Sequence, residues 1–232
     1  MIPEITLPAL SVAFVPVALV IAVLYAWSAG AATSLYAVSR MLLQLVLVGY
    51  LLTFIFDSDS SVLVAAVLAV MLAAASWIAL RPLAARRRSL LPAALLAIAV
   101  VGTTILLLIT QWVLSVEPWY EARYLLPLGG MIYAGCMNAV SLAAERYFAE
   151  CGAGIDPIAA RRTALQAALI PIVNSLFAVG LVSLPGMMTG QILSGTSPLV
   201  AARYQIVVMC MLFGASGLSA ALFLLLCKRR HE

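Results

Sequence analysis

Residues 61–80 read SVLVAAVLAVMLAAASWIAL, an apolar run without a charged side chain. At the helical rise of about 1.5 Å per residue, a run of this length covers about 30 Å, which is the thickness of the hydrocarbon core of a bilayer. The basic stretch RPLAARRR follows at 81–88 and suits the headgroup region. The stretch therefore predicts a membrane-spanning helix that ends at a positively charged loop.

The rest of the chain repeats this pattern. Of its 232 residues, 65% are hydrophobic and 9% are charged, whereas about 25% of the residues of a soluble domain are charged. No stretch reads as a strand, and no linker divides the chain. The sequence predicts an all-α polytopic membrane protein that forms one transmembrane domain over residues 1–232, with about seven spans. The predicted spans are residues 8–27, 35–56, 61–80, 90–113, 125–144, 172–193 and 205–227.

Lysine and arginine are distributed unevenly between the two sides of these spans. Of the 13 such residues, only Arg123 and Arg203 fall on one side, and all the others fall on the opposite side. Because cytoplasmic loops carry the excess of positive charge, we expect an N-terminus outside the cell, a cytoplasmic C-terminus and an inner-membrane location. This orientation explains the net charge of +4, so the expected partner is membrane lipid and not nucleic acid.

Two features of the sequence argue against an enzyme. The single lysine is Lys228 and no GxxxxGK[ST] loop occurs, so this chain does not supply its own P-loop ATPase. The single histidine is His231, which leaves Ser216 in GASG (214–217) without a histidine inside the membrane to activate it. We therefore interpret GASG as small residues that permit close helix packing. A transport subunit or a scaffold protein is what remains.

The segment 145–166 is more polar than the spans around it and is predicted to lie in the cytoplasm. It starts as a charged helix, turns at two glycines, and restarts with Asp156 as N-cap and Pro157 as the first helical residue. A short helix on the cytoplasmic face between two spans is the shape with which ABC permeases contact their ATPase. The alternative is an ordinary solvated loop whose arginines lie at the headgroups. The candidate coupling residues are Glu150, Gly152, Gly154, Asp156, Pro157, Arg161 and Arg162.

The sixth predicted span contains the dipeptide Pro185-Gly186. Proline removes a backbone donor and clashes with the preceding turn, so the helix is expected to kink or break there. Non-helical backbone persists inside a membrane only where it is buried in protein or lines a cavity, which makes this break a candidate binding or gating element. Met187 and Met188 add thioethers, which suit soft metals. The alternative is a simple kink with a Gly186-x-x-x-Gly190 packing face and methionines as fillers.

Polar side chains inside the spans are the remaining candidates for a substrate pathway. Arg40 and Gln44 lie four residues apart and share a helix face. Intramembrane polar groups usually face the interior of a helix bundle; alternatively, Arg40 lies close enough to the cytoplasmic end for its side chain to reach the interface. The full set of candidate pathway residues is Arg40, Gln44, Asn138, Asn174, Ser175, Pro185, Gly186, Met187, Met188 and Gln191.

At these residues the sequence resembles a known family. The stretches RMLLQL (40–45) with VGY (48–50), PLGGMI (127–132), ALIP (168–171) and, above all, LVSLPGMMTG (181–190) are similar to stretches of the FetB family. The resemblance covers residues 35–227. Members of this family are permease subunits of an ABC transporter assigned to iron export, and plant relatives act in aluminium tolerance.

The resemblance implies a subunit that works with a separate FetA-like ATPase, in a complex that contains a permease homodimer and two ATPases. ATP then binds to the partner, and no cofactor binds to this chain. One departure concerns the family pattern G-M-I-x-G-N-x-M, which reads GMIYAGCM at 130–137, so that Asn138 follows three positions after the missing asparagine.

The substrate is the least determined property. Iron rests on the resemblance alone, because hard ferric ions prefer carboxylates and no predicted span contains one; the metal ligands are unknown. The alternatives are an ABC permease for a small organic or nucleotide-sugar solute and a non-transporting membrane scaffold.

Overall fold

The computed structural model describes residues 6–56 and 60–228, and for Leu7 and Lys228 it describes the backbone alone. No strand forms within these ranges, where the one extended pairing is an isolated bridge between Val179 and Ser183. The helices are α1 (Leu7–Val12), α2 (Phe14–Ala26), α3 (Ala31–Phe56), α4 (Ser61–Ala79), a 3₁₀ helix (Arg81–Arg86), α5 (Arg87–Leu107), a π-helix (Leu108–Val113), α6 (Ala122–Gly152), α7 (Pro157–Ala178), α8 (Gly186–Leu193) and α9 (Pro198–Lys228).

Six helical stretches among the described residues are long and apolar enough to cross a membrane. The prediction of an all-α polytopic membrane protein is therefore confirmed, whereas the count of seven spans and the orientation of the termini stay predictions. Both ends of the chain and the acidic turn at 57–59 lie outside the described residues. The six stretches are Pro8–Ala26, Ala31–Phe56, Ser61–Ala79, Arg81–Val113, Ala122–Gly152 and Pro198–Cys227.

The sixth predicted span, residues 172–193, does not form one helix. α7 runs for 22 residues and ends at Ala178, and α8 begins only at Gly186. The break therefore starts well before Pro185, because Gly180 adopts a φ of +82°, which lies outside the range of a right-handed helix. The separate short helix expected on the cytoplasmic face is also wrong, since that segment is the first part of the continuous α7.

The described residues up to Phe56 form one compact unit, in which α2 packs along α3. No residue of α2 is buried, and Ile55 is the only buried residue of α3. Because most of the exposed side chains of these two helices are apolar, the unit presents its surface to lipid or to another protein chain.

The described residues from Ser60 onward form the second compact unit, with α6 packed against α4, α5, α7 and α9. Glycines let these helices approach closely. A Cβ atom on Gly102 of α5 would lie 2.8 Å from Cε1 of Tyr133, and one on Gly129 of α6 would lie 2.7 Å from Cδ2 of Leu68. Such contacts are typical of helix packing in membranes, where van der Waals fit takes over from the hydrophobic effect.

Candidate functional site: two cavities along helix α6

The first cavity of the second unit lies between α6, α7 and α9, and we call it the α6–α7 cavity. Its volume is about 340 Å³. Asn138 and Ser175, both predicted pathway residues, line it together with Ser216. The hydroxyl of Ser175 donates to the carbonyl of Pro171 at 3.0 Å. The remaining lining residues are Met131, Ala134, Gly135, Ala139, Leu142, Ala168, Pro171, Ile172 and Leu212.

The second cavity lies where the N-terminal turns of α6, α8 and α9 come together, and we call it the α8 cavity. Its volume is about 380 Å³. Two predicted pathway residues, Met187 and Gln191, line it from α8, and Arg123 and Tyr124 line it from the first turn of α6. The remaining lining residues are Leu114, Pro127, Leu128, Met131, Thr196, Val200, Tyr204, Val207 and Val208.

The two cavities adjoin on one face of α6. Met131 lines both of them. Tyr124, Met131 and Asn138 recur every seven residues, which is close to two helical turns, so they share this face. From Tyr124 to Leu142 the helix axis rises about 27 Å, which is close to the thickness of the hydrocarbon core. The cavities therefore accompany α6 over a distance comparable to the depth of a membrane.

The turn between α7 and α8, residues 179–185, satisfies much of its own backbone. The carbonyl of Ala178 accepts from the N–H groups of Leu181, Val182 and Ser183 at 3.2, 2.8 and 3.2 Å, and Gly180 donates to the carbonyl of Ser183 at 3.0 Å. Non-helical backbone inside a membrane protein needs such internal partners, because lipid supplies none. The turn thus holds α8 in place as a short, separate helix.

α8 directs Met187 and Gln191 into its cavity because the two residues are four positions apart and share a face. The Oε1 atom of Gln191 is buried and has no hydrogen-bond partner among the described residues. Leaving a buried acceptor unpaired costs about 1–3 kcal/mol. The α8 cavity therefore contains a hydrogen-bond acceptor that a bound solute would satisfy.

The other predicted residues near the break do not line either cavity. Pro185 is the extended N-cap of α8 (φ −62°, ψ 143°), and its carbonyl accepts from the N–H of Thr189 at 3.0 Å. Gly186 is the first residue of α8, Met188 is half-buried and Asn174 is exposed. The structure thus brings together only part of the predicted set in the second unit.

Arg40 and Gln44 belong to the first unit, where the structure pairs them as their spacing predicts. With the amide of Gln44 oriented so that its oxygen faces Arg40, this oxygen accepts from Nε at 3.1 Å and from Nη2 at 3.2 Å. Both residues are exposed on α3. An arginine whose guanidinium is hydrogen-bonded to a neighbouring amide is expected on an apolar helix whose surface faces lipid or another protein chain.

Sequence reasoning missed Arg123, Tyr124, Met131 and Tyr204 as lining residues. Arg123 served only to predict the orientation of the chain. The seven-residue spacing of Tyr124, Met131 and Asn138 would have indicated that these three residues share one face of a helix. Ser216 lines the α6–α7 cavity and also takes part in the packing predicted for GASG. A Cβ atom on Gly135 would lie 3.3 Å from its hydroxyl oxygen.

The lining of the cavities differs from that of a protein metal centre. Arg123 is the only charged side chain among the described residues that line either cavity. Throughout residues 6–56 and 60–228, no three His, Cys, Asp or Glu side chains are grouped so that they could hold a metal ion. The chemistry offered is that of one cation, several hydroxyl and amide groups, and thioethers.

The predicted coupling segment has the local structure that its residues indicate. The carboxylate of Asp156 accepts from the N–H groups of Ile158 and Ala159 at 3.0 and 3.2 Å, and Pro157 starts α7. Gly154 has a φ of +82°, as a glycine after a helix end commonly has. The turn exposes two apolar side chains, Ile155 at 43% and Ile158 at 68%.

Charged side chains border this turn. Gly152 is exposed at the end of α6, and Glu150 forms an ion pair of 2.6 Å with Arg146. At the start of α7, the Nε atom of Arg161 donates to the carbonyl of Pro157 at 3.3 Å, and Arg162 is exposed.

The basic loop between α4 and α5 lies beside the end of α6. The guanidinium of Arg86 is 5.0 Å from the ring centre of Phe148 on α6. Arg87 lies 3.7 Å from the ring centre of Trp77, and its Nε donates to the carbonyl of Trp77 at 2.9 Å. These contacts fix the basic loop next to the predicted coupling segment.

Comparison with known proteins assigns the chain to a family. The family described as "Uncharacterised protein family (UPF0014)" matches residues 7–161 and 156–231. The chain belongs to the UPF0014 family. The resemblance to FetB is also confirmed, since "Probable iron export permease protein FetB" of Escherichia coli (strain K12) is 32% identical over 200 residues, which cover 80% of this chain and 76% of that protein.

Two further relatives are similar to this UPF0014 chain over most of its length. The UPF0014 membrane protein slr1647 of Synechocystis is 39% identical over 202 residues, which are 80% of this chain and 77% of that protein. Protein ALUMINUM SENSITIVE 3 of Arabidopsis thaliana is 32% identical over 208 residues, which are 83% of this chain and 75% of that protein. No solved structure matches the chain significantly.

Proposed function

We propose that this chain is the permease subunit of an ABC-type exporter, which moves iron or another metal outward while a separate FetA-like ATPase hydrolyses ATP. The observation that carries the proposal is the pair of cavities on one face of α6. The name of the Escherichia coli relative supports metal export. In this proposal ATP binds to the partner and no cofactor binds to the permease.

The proposed orientation places the N-terminus outside and the C-terminus in the cytoplasm of a cell with the chain in its inner membrane. α7 then makes the sixth of seven crossings, because its 22 residues rise about 33 Å. Arg161 and Arg162, near the start of α7, lie at the cytoplasmic headgroups in this arrangement. The α8 cavity then faces the outside, and the α6–α7 cavity lies deeper in the membrane.

The permease works as a homodimer with two ATPases in this proposal. The exposed, apolar faces of α2 and α3 support a protein partner within the membrane. Asn138, Ser175, Met187 and Gln191 form the proposed route in one copy. Asn174, Pro185, Gly186 and Met188 are further candidates for the route in the second unit, and Arg40 and Gln44 remain candidates in the first unit.

The ATPase docks, we propose, on the turn between α6 and α7. Ile155 and Ile158 are apolar groups at a charged, cytoplasmic surface, and a cleft on the partner would remove them from water. Arg86 holds the basic loop beside this turn through Phe148, which widens the docking surface. Coupling residues 150–162 would transmit the closure of the ATPases to α6 and α7.

Copurification tests the partnership. We expect an ABC ATPase encoded next to this gene to copurify with the permease, and Gly154→Pro and Arg161→Glu to lower the ATPase activity of the complex about 10-fold, since Pro cannot adopt a φ of +82°. Arg203→Glu, on an exposed arginine of α9, is the matched control and should leave the activity unchanged. Normal activity in both variants would show that the docking surface is wrong, and failure of any ATPase to bind would favour a scaffold.

Metal content tests the cargo. Cells that lack this gene should accumulate iron or another metal under metal and peroxide stress, as measured by elemental mass spectrometry. The wild-type gene should restore normal content, whereas Asn138→Leu, which removes the amide from the α6–α7 cavity, should restore less than Thr53→Leu, which alters an exposed residue of α3 outside both cavities and outside the proposed route. Unchanged metal content in the deletion strain would contradict metal export.

A further inference from the structure

We propose that the α8 cavity binds the carboxylate of a small hydroxycarboxylic acid, so that the metal crosses as a complex with this anion. The inference rests on the proposed function and deepens it. Arg123 would bind the carboxylate and Gln191 would accept a hydrogen bond from the hydroxyl group. The same positively charged site could take inorganic phosphate, and the experiment below separates the two.

The charge of the cavity selects an anion. Arg123 is the only charged side chain among its described lining residues. In the described part of the chain the guanidinium of Arg123 has no ion pair; Glu121 lies close in sequence, but its carboxylate accepts only from the backbone N–H of Arg123, at 3.4 Å. A guanidinium free of a protein partner, with its planar fork of donors, is suited to a carboxylate.

Helix ends reinforce this preference. Arg123 and Tyr124 belong to the first turn of α6, Met187 to the first turn of α8 and Val200 to the first turn of α9. The N-terminal end of each helix carries a partial positive charge, which favours a negative group nearby. The ends of α8 and α9 therefore add to the charge of Arg123, whereas the carboxylate of Glu121 already caps the N-terminal end of α6. No described lining residue is acidic.

The amide of Gln191 adds a second requirement. Its Oε1 atom is buried without a donor partner among the described residues, and such an acceptor favours a ligand that carries a hydrogen-bond donor. A bare metal ion or a simple carboxylate lacks such a donor. A carboxylate with a neighbouring hydroxyl group provides one, and the volume of about 380 Å³ falls in the range of sites for small molecules.

The chemistry of the metal leads to the same class of ligand. Hard cations prefer oxygen ligands, yet the described residues offer no group of acidic or histidine side chains for one. A hydroxycarboxylate supplies those oxygens itself and gives the complex a negative charge. The permease then needs to recognise only the anion, which the α8 cavity can do.

Equilibrium binding to the full chain in lipid nanodiscs, measured with and without the copurifying ATPase, tests the proposal. Radiolabelled citrate and its complex with ferrous iron, prepared under argon, should both bind, because the hydroxyl group of citrate keeps its proton when it coordinates a divalent ion. Ferrous chloride alone should not bind at this site. Tricarballylate, which is citrate without its hydroxyl group, should bind about 10-fold more weakly because Oε1 of Gln191 stays unpaired. Inorganic phosphate should compete poorly; strong competition by phosphate would show that the site is a phosphate site and overturn the assignment to hydroxycarboxylates.

Variants locate the binding at this cavity. Arg123→Gln should weaken citrate binding about 10-fold or more, and Arg123→Lys should weaken it less. Arg203→Gln, which removes the other arginine on the same side of the predicted spans, is the matched control and should bind citrate like the wild type. Gln191→Leu should abolish the preference for citrate over tricarballylate. Equal effects of Arg123→Gln and Arg203→Gln, or a preference unchanged by Gln191→Leu, would overturn the proposal.

This inference and the proposed function can fail separately. A complex that retains its ATPase and lowers cellular iron, but does not bind citrate, would disprove the hydroxycarboxylate site and leave the exporter intact. Specific citrate binding that depends on Arg123, in a chain that neither binds an ATPase nor changes metal content, would disprove the exporter and retain the site.

Discussion

Gly102 and Tyr133 show how much single residues matter where helices touch. Gly102 of α5 lies against the ring of Tyr133, which is only 4% exposed, so a Cβ atom 2.8 Å from Cε1 has little room. We expect Gly102→Ala to lower the free energy of unfolding by about 1–3 kcal/mol, as overpacking usually does. Thermal unfolding in detergent measures this loss.

The matched control is Gly49→Ala, the same substitution in the interior of α3. No heavy atom lies within 4 Å of a Cβ atom built on Gly49, and alanine is the better helix former by about 1 kcal/mol. This variant should be as stable as the wild type or more stable. Equal destabilisation by both substitutions would contradict the close α5–α6 contact.

At the residue scale, the sequence pointed to polar side chains within the spans, and their role as pathway residues stays a prediction. Asn138, Ser175, Met187 and Gln191 were identified because polar or sulfur-containing side chains within apolar runs are conspicuous, and they do line cavities. Arg123 was read only as a marker of orientation. Its position in a cavity depends on α8 and α9, which are distant in sequence, so no local pattern could assign it.

At the scale of elements, the start of α7 depends on the N-cap at Asp156. Its carboxylate accepts from two backbone N–H groups, and loss of such a cap costs about 1 kcal/mol. We expect Asp156→Ala to speed hydrogen exchange at the amides of Ile158 and Ala159, measured by mass spectrometry. Asp156→Asn keeps the oxygen acceptor and should retain protection; if both variants exchange equally fast, the charge and not the cap is responsible.

The turn between α7 and α8 depends on Gly180. Alanine at a φ of +82° is strained by about 1–2 kcal/mol, so Gly180→Ala should lower the melting temperature and increase cleavage by chymotrypsin near Leu181. Gly190→Ala, in the open interior of α8, is the control for the same substitution. Unchanged cleavage in Gly180→Ala would show that the turn does not need its left-handed residue.

The full length of α7 could not be predicted from the sequence. Arg161, Arg162 and Gln166 made its first half look like a separate short helix on the cytoplasmic face, although no glycine interrupts the segment between Gly154 and Gly180. Pro171 lies inside α7 without ending it. Polar composition did not mark an end of the helix, whereas the N-cap at Asp156 and the left-handed Gly180 lie where α7 begins and ends.

At the scale of the whole molecule, orientation is the property to measure next. In a variant without the four native cysteines, a membrane-impermeant maleimide should label Trp119→Cys on intact cells, since this exposed residue lies outside in the proposed topology. Ile158→Cys, also exposed, should be labelled only after permeabilisation. The reverse result would invert the topology and with it the proposed direction of the α8 cavity.

Composition alone sufficed for the class of molecule, because few charged residues and long apolar runs leave only a helical membrane protein. Composition could not predict the two cavities along α6. The cavities form because α7 and α9 leave part of one face of α6 uncovered. Which face they cover depends on small residues such as Gly135, which lies close to Ser216. Such a contact depends on pairs of residues from two helices and cannot be predicted from the apolar runs of either one.

Met131 is the one side chain that belongs to both cavities. A solute that follows the proposed route would pass this side chain, which lies where the two cavities adjoin. Methionine is unbranched and has several rotatable bonds, so the Met131 side chain can change its rotamer without movement of a helix. In the proposed route the cargo would stay in one cavity until the side chain of Met131 rotates. The two cavities would then not be open to both sides of the membrane at once.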